Sequence, residues 1–245
     1  MNRVVALWAV PRSVSTAFEQ MMRARGDFRA LHEPFLPYYY YGEERVNEHF
    51  SEGVKPDASH HWERILERIH EEARQGQVFF KDMGYHVSRC ASPELLANFD
   101  NTFLTRDPEQ SLPSLFRLLP EATMEETGFE QQLRLMRMTE ELTGEPPILV
   151  QAERLRDDAA TEVENYCRRL GIEFKPEALR WDEGEPSEEW QPWRRWHREA
   201  IKSTGFESSG EDGDEDDGGG ADASVPPDVL ARCKELHAEI VSLGA

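Results

Sequence analysis

The stretch "AVPRSVSTAF", residues 9–18, joins an apolar run to a segment of good helix formers. The run "RVVALWAV", residues 3–10, is continuously apolar, which is typical of a strand covered on both faces of a sheet. The segment "STAFEQMMRAR", residues 15–25, predicts a helix whose first turn is capped by Ser15 or Thr16. We therefore predict a strand, a tight loop and a helix at the start of the chain.

This strand–loop–helix arrangement suits an anion such as phosphate. Backbone N–H groups at a helix start lack intrahelical partners, and the helix dipole favours negative charge there. The hydroxyls of Ser13, Ser15 and Thr16 add short donors, and Arg12 adds a planar charged group. The loop is not the P-loop of NTPases, because G-x-x-x-x-G-K-[ST] and its lysine are absent. A strand followed by a simply capped helix is the alternative.

A second stretch, "TFLTRDPEQSLPS" at residues 102–114, shows a similar order. A predicted strand ends at Thr105, and Arg106 follows at its carboxyl end, where open α/β sheets bind their ligands. Ser114 lies about two turns into the next predicted helix. Arg106 and Ser114 are therefore candidates for binding a second phosphate, and an Arg106–Asp107 pair at a helix start is the alternative.

Strands and helices alternate along the rest of the chain. We predict strands at residues 28–33, 77–83, 101–105 and 146–153, and helices at 58–76, 92–99, 129–142, 158–171 and 226–243, with a helical start at 108–119 and an irregular aromatic segment at 35–57. This alternation predicts an α/β fold with a mostly parallel central sheet flanked by helices.

The domain organisation follows from composition. We expect residues 1–206 to form the α/β domain. Residues 207–224, "ESSGEDGDEDDGGGADAS", predict an acidic flexible loop, and residues 225–245 a C-terminal helix that packs on the same domain.

Charge and composition argue against several classes of partner. The 245-residue chain has 48 acidic and 28 basic residues, so its net charge is −20, which disfavours nucleic-acid binding. Only five of the basic residues are lysine, as suits a salt-rich cytoplasm; an acidic mesophilic protein is the alternative. No apolar run approaches the roughly 20 residues of a membrane helix. Three scattered cysteines indicate a reducing cytoplasm and no metal or disulfide site.

The two loops together resemble those of the sulfotransferase family, and the arginine-containing loop and "HEP" at residues 32–34 resemble its bacterial and tyrosylprotein-type members. Those enzymes move a sulfuryl group from 3′-phosphoadenosine 5′-phosphosulfate (PAPS) to a hydroxyl or amine. The resemblance implies a P-loop-like three-layer fold and no metal. The motifs "HEPF", "FKDM" and "STGF" also resemble those of bacterial and plant proteins, some of which carry an aminotransferase name.

The resemblance also assigns the donor site. It implies that the first loop cradles the 5′-phosphate and that Arg106 and Ser114 bind the 3′-phosphate. The first-loop residues are Arg12, Ser13, Val14, Ser15, Thr16 and Ala17. Val14 stands where most members have glycine, and Ala17 where many have tryptophan. The family's basic "RKG" segment is absent, and the nearest basic segment is "WRRWHREAIKS" at residues 193–203.

Three residues are candidates for the chemistry. Arg12 would neutralise charge on the bridging oxygen, and Glu33 would take the acceptor proton, as a glutamate does in the tyrosylprotein-type enzymes. Lys81 would assist transfer, and we rank it above His86 because His86 lies several residues beyond the strand. We expect His32 to point away from Glu33, since neighbouring strand residues face opposite ways. Ordinary loop or surface ion pairs are the alternatives for these residues.

The predicted function is thus sulfuryl transfer from PAPS to a small-molecule acceptor. A P-loop-like nucleotide-binding protein or kinase-like phosphotransferase is one alternative, although the Walker lysine is missing. A non-catalytic sulfotransferase-like binding protein is the other. The sequence indicates neither the acceptor nor the oligomeric state.

Overall fold

Five strands form the centre of the computed structural model, which describes residues 2–184, 188–206 and 224–244. The strands are β1 (Val4–Ala9), β2 (Arg29–His32), β3 (Val78–Met83), β4 (Asp100–Thr105) and β5 (Ile148–Gln151). They pair in the order β2-β3-β1-β4-β5, and every pair is parallel. The predicted α/β fold is confirmed, with a sheet that is parallel throughout its described strands.

Ten helices surround the sheet within the described residues. They are α1 (Ser15–Ala24), α2 (Leu36–Tyr41), α3 (Trp62–Gln75), α4 (Pro93–Leu96), α5 (Pro108–Leu118), α6 (Phe129–Thr143), α7 (Ala152–Asp157), α8 (Ala159–Leu170), α9 (Arg194–Lys202) and α10 (Pro227–Leu243). Short 3₁₀ turns lie at Ala58–His60, Gly84–Val87, Glu125–Thr127, Pro176–Leu179 and Glu188–Trp193.

Side-chain alternation along β1 builds the two core layers. All six residues of β1 are buried, and successive side chains enter opposite layers. One layer contains Trp8 and residues of α3, α4, α5, α6 and α10, while the other contains Leu7 and residues of α1 and α8. The indole N–H of Trp8 donates to Asn101 Oδ1 at 2.9 Å, so this large buried side chain leaves no unpaired polar atom. The result is a P-loop-like three-layer arrangement.

The C-terminal helix α10 packs on α6 and α5. Its buried side chains, Cys233, Leu236 and Ile240, belong to the same core layer as Trp8. Most of the predicted acidic loop, residues 207–223, lies outside the described residues. No described helix is long and apolar enough to span a membrane.

Three local predictions were wrong. The segment at 35–57 is not wholly irregular, because Leu36–Tyr41 forms α2 and buries Tyr38, Tyr39 and Tyr40. Helix α1 has no side-chain cap, since its N-cap position is Val14 in a left-handed conformation. Helix α5 continues past Pro113 to Leu118, where we predicted helix only at its start.

The parallel register places the carboxyl ends of the strands along one edge of the sheet. Ala9 at the end of β1 pairs with Met83 of β3 and Leu104 of β4, and His32 of β2 pairs with Lys81. Residues that follow β1, β2, β3 and β4 therefore meet at this edge, where open α/β sheets bind ligands.

Candidate active site

The loop between β1 and α1 has an unusual backbone. Arg12 and Val14 both adopt φ of 61°, in the left-handed region that non-glycine residues seldom occupy. Such a conformation costs on the order of 1–3 kcal/mol per residue and is concentrated at functional sites. The left-handed turn at Val14 starts α1 with a residue other than glycine. No side-chain cap is described for the backbone N–H groups of its first turn, and such groups suit an anion.

The hydroxyls of this loop are less available than the sequence suggested. Ser13 is fully buried and donates to the Val10 carbonyl at 2.6 Å, so its hydroxyl closes the turn. Thr16 Oγ1 lies 3.4 Å from His197 Nδ1, and Ser15 is buried. Ala17 is buried in the core layer against α8.

Arg12 connects the two predicted donor loops. Its Nε donates to Ser114 Oγ at 2.8 Å, and its carbonyl accepts from Arg106 Nη1 at 3.0 Å. Arg106 and Ser114 therefore each contact Arg12, although no hydrogen bond between the two of them is described. Burial lowers the pKa of Arg12 while Glu199 opposes the shift, and the guanidinium stays charged.

Helix α9 covers this arginine. Arg12 Nη1 donates to the Trp196 carbonyl at 2.7 Å, and its Nη2 lies 3.2 Å from a carboxylate oxygen of Glu199. The Glu199 side chain is 77% exposed, whereas that of Arg12 is 15% exposed. The basic segment whose role the sequence left open thus contacts the first loop directly.

Glu33 and Lys81 form a buried ion pair beside this loop. Lys81 donates to Glu33 Oε1, and the Glu33 backbone N–H donates to the Lys81 carbonyl at 2.8 Å. Burial disfavours the charged form of Glu33, but Lys81 and His32 outweigh it and hold its pKa well below the usual range. Glu33 is therefore ionised at neutral pH and can accept a proton, although it is a weak base while Lys81 donates a hydrogen bond to it.

The expected separation of His32 from Glu33 was wrong. Glu33 adopts φ of 42°, so it has left the strand geometry and its side chain does not alternate with that of His32. His32 Nε2 lies 3.8 Å from Glu33 Oε1. Lys81 does not form the surface ion pair that was its alternative, because it is fully buried and contacts Glu33.

Glu19 and His197, which the sequence analysis did not identify as site residues, also lie in this region. His32 Nδ1 lies 2.7 Å from Glu19 Oε2, and His32 Nε2 lies 3.0 Å from His197 Nε2. Burial raises the pKa of Glu19, but His32 and Lys81 outweigh it and lower that pKa to about 2. Burial, reinforced by Lys81, lowers the pKa of His197 to about 3. Glu19 is a carboxylate on the buried face of an amphipathic helix, which was the only available signal.

The second buried carboxylate–histidine pair lies at the end of β3. His86 Nδ1 lies 2.6 Å from Asp82 Oδ1, and the other carboxylate oxygen accepts from the Phe35 N–H at 2.7 Å. His86 does lie several residues beyond Asp82, but a 3₁₀ turn at Gly84–Val87 brings its side chain back to this strand residue. The rings of Tyr39 and Tyr40 on α2 and of Tyr85 contact His86, so tyrosines from two segments pack around this histidine.

The chain matches a known family and is similar to several known proteins. The family described as "Sulfotransferase domain" matches residues 2–220. Two Arabidopsis thaliana proteins, branched-chain-amino-acid aminotransferase-like proteins 2 and 1, are 26% and 24% identical over 215 residues. The matches cover 84% of this chain but only 36% and 37% of those proteins, so the chain spans little more than a third of their length.

Two solved structures are also similar. The sulfotransferase domain of the Synechococcus PCC 7002 olefin synthase is 16% identical, with a TM-score of 0.49 and coverage of 99% of this chain and 94% of that one. A mouse sulfotransferase solved with PAP is 13% identical, with a TM-score of 0.44 and coverage of 98% and 85%. The family match at residues 2–220 includes all five described strands and both predicted loops, and the chain therefore belongs to the sulfotransferase domain family.

Proposed function

We propose that this chain transfers a sulfuryl group from PAPS to a hydroxyl or amine of a small-molecule acceptor. In this reaction the bond between sulfur and the 5′-phosphate oxygen breaks, and a bond between sulfur and the acceptor atom forms. The acceptor loses a proton, and the 3′,5′-bisphosphate leaves with the electron pair of the broken bond. The chain must therefore bind two phosphates, accept one proton and neutralise the leaving oxygen.

One observation carries the proposal. Both predicted donor loops converge on Arg12, whose Nε contacts Ser114 and whose carbonyl contacts Arg106. A 5′-phosphate at the start of α1 and a 3′-phosphate near Arg106 would then lie on the two sides of a single arginine. Glu199, the carboxylate now beside Arg12, occupies a position that suits a phosphate or sulfuryl oxygen, since all three are anionic.

The roles of the remaining residues follow from the Glu33–Lys81 pair. We propose that Glu33 takes the acceptor proton and that Lys81 stabilises charge on the transferred group, with Arg12 at the bridging oxygen. The buried ammonium keeps Glu33 ionised, which is the form that can accept a proton. The three free cysteines support the cytoplasmic location that we propose for the protein.

Calorimetric titration with 3′-phosphoadenosine 5′-phosphate, adenosine 5′-phosphate and ATP tests the proposal. We expect the bisphosphate to bind tightest, because it alone carries both phosphates of the donor. Tighter binding of ATP would favour the kinase-like alternative. Bisphosphate binding without turnover in a screen of phenols, sugars and amino alcohols would favour a non-catalytic binding protein.

A further inference from the structure

Three potential metal ligands meet beside the Glu33–Lys81 pair. His32 and Glu33 end β2, and His197 lies on α9, more than 160 residues away in the chain. One ligand atom from each of these buried residues lies within 4.8 Å of the other two. The two Nε2 atoms are 3.0 Å apart, and His32 Nε2 lies 3.8 Å from Glu33 Oε1.

The surroundings orient the imidazoles as metal ligands. A carboxylate only accepts hydrogen bonds, so the contact at 2.7 Å to Glu19 Oε2 places a proton on His32 Nδ1. With the proton on Nδ1, Nε2 is the ring atom that can offer a lone pair, and it faces His197. A metal-bound histidine usually donates its other N–H to such a carboxylate, which fixes the tautomer and the ring orientation. Thr16 Oγ1, 3.4 Å from His197 Nδ1, is placed to orient the second ring in the same way.

Two Nε2 atoms at 3.0 Å require either a shared proton or a cation between them, because two lone pairs repel each other. We propose that His32 Nε2, His197 Nε2 and the Glu33 carboxylate bind a divalent transition metal ion of the zinc class. Imidazole and carboxylate suit such ions, and three protein ligands leave one coordination position open. This site departs from the sequence-based expectation that the chain binds no metal.

Lys81 determines how metal binding would affect Glu33, the proposed proton acceptor. Its ammonium contacts the same Glu33 carboxylate, so the metal ion and the ammonium compete for one buried anion. Metal binding would therefore separate Glu33 from Lys81 and block the proposed proton acceptor. The inference of inhibition rests on the proposed function, whereas the inference of metal binding does not.

Titration with Zn²⁺ in a chelator-free buffer tests the site. We expect one ion per chain, with affinity at least about tenfold lower in His32→Gln and in His197→Gln, since each loses one ligand. Lys81→Met should raise the affinity, because it removes the competing cation. His70→Gln is the control for histidine loss elsewhere, and circular dichroism checks that each variant is folded. Unchanged affinity in both histidine variants, or no gain in Lys81→Met, would overturn the site.

A measurement on the wild-type chain avoids the risk that a buried variant fails to fold. Zn²⁺ should shift the Nε2 resonances of His32 and His197 in nitrogen-15 NMR spectra of the imidazoles. Shifts confined to other histidines would contradict the metal site. A shared proton would then explain the contact at 3.0 Å between the two rings. Zn²⁺ should also inhibit turnover at the concentration at which it binds. Binding without any measurable transferase activity would contradict the proposed function but leave the metal site intact.

Discussion

The ligand edge of the sheet has two unlike halves. The loop side consists of residues 10–17 with Arg106 and Ser114, and the pair side consists of Glu33 and Lys81 with Glu19, His32 and His197. On the loop side, a partly exposed arginine contacts a hydroxyl, a carbonyl and an exposed carboxylate. On the pair side, the buried Lys81 ammonium contacts the Glu33 carboxylate, and the buried Glu19 carboxylate contacts His32.

This difference determines what each half can do. Only the carboxylate of the Arg12–Glu199 pair is mostly exposed, so water can solvate Glu199 when a phosphate takes its place beside Arg12. Removing one partner of a buried pair costs about 3–5 kcal/mol, because it leaves the other charge unpaired. The loop side is therefore suited to exchange its contacts for a ligand, while the pair side must keep its charges balanced during proton transfer.

Glu33→Gln should have the largest effect and separates the two halves. We expect turnover to fall by about 10²–10⁴-fold, the usual contribution of a general base, with donor affinity nearly unchanged. The amide leaves the Lys81 ammonium without a carboxylate, so stability should fall as well. Turnover with a phenol or alcohol acceptor and calorimetry with the bisphosphate measure the two effects.

The double variant Glu33→Gln/Lys81→Met is the control for that experiment. It removes both charges, so it should regain stability without regaining turnover. Turnover of Glu33→Gln within a few-fold of wild type would move the role of base to Lys81 or His86. A folding defect that the double variant does not relieve would instead make Glu33 a structural residue.

Arg106→Ala should affect only the loop side. Loss of a charged contact to a phosphate costs on the order of 2–3 kcal/mol, so bisphosphate affinity should fall by roughly 30–150-fold. Adenosine 5′-phosphate should bind almost as before. Calorimetry with both ligands measures this, and Arg117→Ala is the control for removing a nearby exposed arginine. Equal losses for both ligands would mean that Arg106 supports the Arg12 carbonyl and does not contact the 3′-phosphate.

Glu126 is another buried carboxylate, and its described partners do not include a lysine. It tests whether the charge of a buried carboxylate contributes to stability when no ammonium contacts it. It accepts hydrogen bonds from Tyr40, Asn47, His49 and Thr123. Burial raises its pKa, but these hydrogen bonds outweigh burial and lower it. A lowered pKa in the folded state adds stability above the unfolded pKa of about 4.3, and that stability is lost as pH falls through the folded pKa.

Glu126→Gln should therefore reduce the free energy of unfolding by about 1.5–3 kcal/mol at pH 7, as expected for hydrogen bonds to a charged acceptor. The difference from wild type should shrink as the pH falls from 5 to about 3. Urea unfolding at several pH values measures it, with exposed Glu121→Gln as the control. A difference that stays constant with pH would show that the charge of Glu126 does not contribute.

The loop side could be predicted from the sequence because each of its two loops is formed by residues that lie close together in the chain. "PRSVST" and "RDPEQSLPS" each follow an apolar run, so strand, loop and helix are all encoded within about a dozen residues. The parallel sheet followed from the same alternation. The left-handed turns at Arg12 and Val14 were not predictable, because neither residue type favours that conformation.

The pair side could be predicted from the sequence only in part, because its contacts join segments that are distant in the chain. Glu33 and Lys81 are identifiable from the sequence because each lies near the end of a predicted strand, but their pairing depends on the β2–β3 register and on the turn at Glu33. His197 reaches the site only through the packing of α9, which no local pattern encodes. Contacts between distant segments were therefore the part that the sequence could not supply.

Replacing residues 207–224 with a Gly/Ser linker should have the smallest effect, because the segment contains none of the residues assigned to either half. It contains no large apolar side chain that could bury surface in the core, so we expect the melting temperature to change by less than about 2 °C. Bisphosphate affinity should stay within a few-fold of wild type. A variant with the same residues in shuffled order keeps the negative charge and separates charge effects from specific contacts. If both variants lost bisphosphate affinity, the order of these residues would matter to the loop side, and the donor site would extend beyond Arg12, Arg106 and Ser114. If only the Gly/Ser variant changed, its lost negative charge would be the cause, and raising the KCl concentration should reduce the difference from wild type.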